Sequence, residues 1–77
     1  MQILGDIGNS ETKVYLVNSK NKIIKSINFP SKKINNKILK KKFSYLVKDF
    51  KSVKKILFCS VVPKSFDLIK KFLSKNL

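Results

Sequence analysis

The residues with the most chemical capacity in this chain stand together near its start, in the run Asp6-Ile7-Gly8-Asn9-Ser10-Glu11-Thr12-Lys13. A polyphosphate needs close backbone approach, hydrogen-bond donors and positive charge. Gly8 permits the approach because it has no Cβ to obstruct amides that face a phosphate. Asn9 and Ser10 add side-chain donors. Lys13 offers a mobile cation to phosphate oxygens, and Asp6 at a strand end can hold Mg²⁺, largely through water, beside the same phosphates. The run from Asp6 to Lys13 is therefore a candidate nucleotide-phosphate clamp, with Asp6 as its candidate metal residue. On the turn residues alone an ordinary β-hairpin is the simpler reading, with Gly8 and Asn9 taking positive φ and Asp6 capping the turn.

Positioning such a clamp requires strands on either side of it. Gln2 to Ile7 is nearly continuous apolar sequence ending at Asp6 and Gly8, as a short buried strand entering a turn would be. Thr12 to Val17 is rich in β-branched and aromatic residues. Asn18-Ser19-Lys20-Asn21 then supplies turn chemistry, and Lys22 to Phe29 alternates imperfectly between apolar and polar residues. An antiparallel meander of three strands is expected, closed by Phe29-Pro30.

Beyond Ser31 the period changes. Leu39, Phe43, Leu46, Val47 and Phe50 follow a helical course, with Ile34 and Ile38 leading in. Lys40, Lys41 and Lys42 fall mostly outside this stripe and read as a solvated face. Ile56 to Val62 is a compact β-prone run that predicts a strand buried on both faces with a parallel partner. Pro63 suits the first turn of a second helix, with Asp67 near its positive end and Phe66, Ile69, Phe72 and Leu73 on one face. Lys70, Lys71 and Lys75 complement the far end. The expected order is β-β-β-α-β-α, an α/β fold with a mixed sheet that combines an antiparallel hairpin and a parallel strand.

Composition bounds the rest. At 77 residues the chain has room for one domain, and a core of that size contributes only about 3–5 kcal/mol of net stability. There is one cysteine and no histidine, so neither a disulfide within the chain nor a histidine-bearing metal staple reinforces the fold. Cys59, inside the apolar run from Ile56, reads as a small buried hydrophobe in a reducing cytoplasm. No stretch approaches the roughly 18 apolar residues of a membrane span. The net charge of +14 and pI near 10.2 point to salt-sensitive adhesion to anionic surfaces. All eighteen basic residues are lysine, whereas bidentate base and phosphate contacts favour arginine, so no specific nucleic-acid partner is expected.

Asp6-Ile7-Gly8-Asn9-Ser10 with Lys13 resembles the amino-terminal D-x-G-N-[TS] phosphate motif of type III pantothenate kinases. Ser60-Val61-Val62-Pro63 is similar to the S-V-V-P segment these enzymes carry after their next parallel strand. The resemblance places the chain in the acetate kinase, sugar kinase, Hsp70 and actin superfamily and implies a partial ribonuclease-H-like, actin-like ATPase domain. It implies phosphorylation of pantothenate by ATP on the route to coenzyme A, with Mg²⁺ and a monovalent cation, K⁺ or NH₄⁺, held by residues outside this chain. Asp6, Ile7, Gly8, Asn9, Ser10, Glu11, Thr12 and Lys13 would then cradle ATP, with Glu11 peripheral. The resemblance also implies homodimers, and the absence of an export signal fits a cytoplasmic protein.

That resemblance covers only the family's opening portion. The later G-x-D-R segment, which brings the catalytic aspartate, has no counterpart here, and neither Asp49 nor Asp67 sits in a matching motif. The expectation is a single incomplete amino-terminal subdomain over residues 1–77, inactive alone and, with the apolar edge of its last strand uncovered, poorly soluble, partly disordered or dependent on a partner. Two other readings remain open: a small basic protein that binds nucleic acid or another anionic surface, and a fragment of a different actin-like or sugar kinase.

Overall fold

The computed structural model describes residues 1–48 and 50–76. Strands β1 (Gln2–Ile7), β2 (Glu11–Val17) and β3 (Ile23–Pro30) are followed by helix α1 (Asn36–Leu46), strand β4 (Lys55–Ser60) and helix α2 (Pro63–Asn76). Short 3₁₀ turns at Ser31–Lys33 and Phe50–Ser52 flank α1. The sheet order is β3-β2-β1-β4, with β1 antiparallel to β2 and parallel to β4. This is the α/β order and mixed sheet expected of a partial ribonuclease-H-like domain.

Local chemistry explains each junction. Between β2 and β3, the Asn18 carboxamide oxygen accepts from the Lys20 and Lys22 amides at 2.9 and 3.0 Å. Asn21 there takes a φ of 61°, a conformation that asparagine tolerates better than most residues. Pro30 closes β3 on the sheet's edge, where a missing amide costs no ladder bond. Asn35 caps α1 by accepting from the Ile38 amide at 2.9 Å.

Because strand side chains alternate, Ile3, Ile7, Val14, Leu16, Ile27 and Phe29 all point to one face of the sheet, and both helices pack there. Leu39, Phe43 and Leu46 of α1 meet Ile69, Phe72 and Leu73 of α2 over this face. The Phe43 and Phe72 rings lie 5.6 Å apart at 37°. The opposite face carries Asp6, Glu11, Lys13, Asn28, Leu57 and Cys59, all exposed. The molecule is thus two layers with one open sheet face.

Three expectations are corrected. Helix α1 stops at Leu46: Val47 is extended, and its amide closes the last turn on the Phe43 carbonyl at 2.9 Å. The apolar stripe therefore does not continue as helix to Phe50, which begins a 3₁₀ turn. The Phe50 side chain and Asp49 lie outside the described residues. Second, β4 is not buried on both faces: it borders the sheet, and among the described residues none covers its outer surface. Cys59 is exposed there instead of packed. Third, Asp67 lies beyond the first turn of α2, which holds no acid.

Candidate nucleotide-phosphate site

In the β1–β2 register Asp6 faces Lys13 and Ile7 faces Thr12. Facing residues of an antiparallel pair place their side chains on the same side of the sheet, about 5 Å apart at Cβ. Asp6 and Lys13 consequently form an exposed carboxylate–ammonium neighbourhood on the open face. Ile7 and Thr12 point the other way and are fully buried.

The tip between the strands closes with the Gly8 amide donating to the Glu11 carbonyl at 3.0 Å. Neither glycine has a positive φ, so the hairpin with Gly8 and Asn9 in the left-handed region is not the one that forms. The glycine at position 8 answers a demand of space: a Cβ there would lie 3.2 Å from the Glu11 oxygen. Asn9 and Ser10 stand exposed at the tip. Glu11 turns aside, its carboxylate accepting from the Asn28 side-chain amide at 2.7 Å across to β3.

Thr12 works inside the protein. Its hydroxyl lies 2.7 Å from that of Ser31, and the Ser31 hydroxyl donates to the Gly8 carbonyl at 2.7 Å. Ser31 escapes sequence reading because it follows a proline in a stretch that belongs to neither a strand nor a helical stripe. Lys32 and Lys64 escape it because nothing in the sequence sets them beside the tip. With Asn9, Ser10, Ser31, Val62 and Ser65 they line an open cleft of about 620 Å³ on the helix side of the tip. The structure thus divides the cations: Lys13 stands on the open face, Lys32 and Lys64 beside the cleft.

The second motif is tied to the first. The Ser60 hydroxyl accepts from the Val62 amide and contacts the Val62 carbonyl, both at 3.0 Å, forming a tight turn. The Val61 amide donates to the Ile7 carbonyl at 3.0 Å, and the Val62 carbonyl accepts the first bond of α2 from Phe66 at 3.2 Å. Pro63 then occupies the first helical position, where its lack of an amide costs nothing. Each residue of Ser60-Val61-Val62-Pro63 thereby has a structural task in steering the chain from β4 into α2 beside the phosphate loop.

No family model matches the chain. A curated type III pantothenate kinase from Pelagibacter ubique (strain HTCC1062) is 55% identical to it over 75 residues, which is 97% of this chain. Over this span the chain is similar to a type III pantothenate kinase. It spans 30% of that kinase's length. The 75 aligned residues run through both motif segments and the elements between them, so the likeness extends along the full β-β-β-α-β-α segment.

As for a metal, no group of three or more metal-ligating side chains occurs among the described residues. A single exposed carboxylate at Asp6 fits a hydrated Mg²⁺ that arrives with a nucleotide, since this ion keeps several waters and takes its other ligands from phosphates.

Proposed function

We propose that this chain supplies the amino-terminal ATP-phosphate loop of a type III pantothenate kinase and that the remaining catalytic parts lie on polypeptide outside these residues. The observation that carries the reading is the 55% identity over 97% of the chain to a kinase of that name. The geometry adds support: Asp6 and Lys13 face each other across the strand pair whose tip is Gly8-Asn9-Ser10.

In this reading Lys13 offsets negative charge on the phosphates and Asn9 and Ser10 donate to their oxygens. Asp6 would hold Mg²⁺, whose contribution is to neutralise charge that develops on the transferred phosphoryl group. Positioning and charge neutralisation provide most of phosphoryl-transfer catalysis, so these residues act without forming covalent intermediates. Pantothenate contacts, the general base and the monovalent-cation site would come from the absent portion. Coenzyme A biosynthesis, a cytoplasmic setting and assembly with further kinase polypeptide follow from the same reading.

The test combines this chain with the remaining 70% of the relative as a separate polypeptide and measures pantothenate-dependent ADP formation. Activity is expected from the pair and from neither part alone. Lys13→Ala and Asp6→Ala should each lower kcat/KM by roughly 100-fold or more. Activity that survives both substitutions would overturn the assignment of the loop.

A further inference from the structure

We propose that Ser31 is a positioning residue that sets the shape of the Gly8–Thr12 loop and couples it to the first turn of α2. The proposal deepens the nucleotide reading and rests on it for the identity of the ligand. Ser31 is buried, and all of its polar groups are engaged around the loop. Its amide donates to the Ser10 carbonyl at 3.1 Å, and its own carbonyl accepts from the Ser65 hydroxyl of α2 at 3.2 Å.

Proton accounting fixes the direction of the side-chain bonds. A serine hydroxyl has one hydrogen, and Ser31 gives it to the Gly8 carbonyl at 2.7 Å. Thr12 must then donate to the Ser31 oxygen across the 2.7 Å between them. The result is a buried chain of donors running from Thr12 through Ser31 to the backbone of Gly8.

This chain has a consequence at the tip. In a trans peptide the carbonyl and the following amide point in opposite directions, and no peptide among the described residues is cis. Drawing the Gly8 carbonyl inward to Ser31 turns the Asn9 amide outward, where an anion could accept from it. Ser31 does not touch the ligand. It aims a donor that does.

The test uses the full 77-residue chain at micromolar concentration, as wild type, Ser31→Ala and Ser65→Ala. Hydrogen exchange is followed over residues 8–12 without nucleotide, and MgATP affinity is measured in parallel. Loss of one buried hydrogen bond in Ser31→Ala should quicken exchange over residues 8–12 and weaken MgATP binding by about tenfold each. Exchange at the Asn18–Lys22 turn should not change. Ser65→Ala, the milder variant, should quicken loop exchange by a smaller factor. Unchanged exchange over residues 8–12 in both variants, or an equal rise across the whole chain, overturns the proposal. So does local quickening with unchanged MgATP affinity. A wild type with no MgATP affinity leaves the nucleotide reading to the assay with the remaining polypeptide, and loop exchange still decides whether Ser31 sets the loop.

Discussion

The ring of Phe58 on β4 lies over the backbone of Gly5, its paired neighbour on β1 in the parallel register. A Cβ at residue 5 would overlap the Cδ1–Cε1 edge of that ring. The Phe58 ring also meets that of Phe66, with centroids 6.2 Å apart at 48°, so the glycine allows an aromatic to close the parallel β1–β4 pair. Gly5→Ala is expected to destabilise the fold by about 1–3 kcal/mol, as overpacking does. Urea unfolding would show this as a lower midpoint. Combining Gly5→Ala with Phe58→Ala should cost less than the sum of the two single changes, because the second removes the clash created by the first.

Cys59 provides a direct reading of which face of β4 is open. Its exposure predicts that a thiol-reactive dye labels the native chain completely without denaturant. Protection until the chain is unfolded would mean that this face of the sheet is covered in solution.

The free edge of β4 has a second consequence. Leu57 is 49% exposed on this edge strand, and Ile56, Phe58, Phe66, Ile69 and Leu73 line an apolar groove of about 280 Å³ on its other side. An uncovered apolar edge invites association. Leu57→Lys should lower light scattering at a given concentration. Equal scattering from both proteins would show that the edge is not where association begins.

The surplus of lysine should behave as diffuse charge. With a net charge of +14, the chain is expected to bind duplex and single-stranded DNA at low ionic strength and to release both near about 0.15 M salt. Sequence-selective binding that persists at that salt concentration would favour a dedicated nucleic-acid role over the kinase reading.

Much of the fold was legible because its strands and helices carry one dominant period each. Ile3, Ile7, Val14 and Leu16 mark the inner face of the meander, and Ile69, Phe72 and Leu73 mark the buried side of α2. Where periodicity was ambiguous the reading failed. The stripe through Leu46 and Val47 runs on toward Phe50 in the sequence, but the backbone extends at Val47. The β-prone run around Cys59 has the composition of an interior strand, and only the sheet order reveals it as an edge. In the site, Gly8, Asn9 and Ser10 could be picked out by type and spacing. Ser31, Lys32 and Lys64 could not, because their nearness to the loop exists only once β3 and α2 are in place.

The bond from the Val61 amide to the Ile7 carbonyl also orders events in time. Chains are made from the amino terminus, and early segments begin to fold while later ones are still being added. Within the β1–β2–β3 meander each strand pairs with its neighbour in sequence, so that pairing can begin as soon as it emerges. The base of the phosphate loop cannot be finished until residue 61 has been synthesised and β4 has joined β1. A ribosome stalled before that point would carry a formed hairpin whose nucleotide-facing end still lacks its support, so competence to hold a phosphate would arrive abruptly, late in translation.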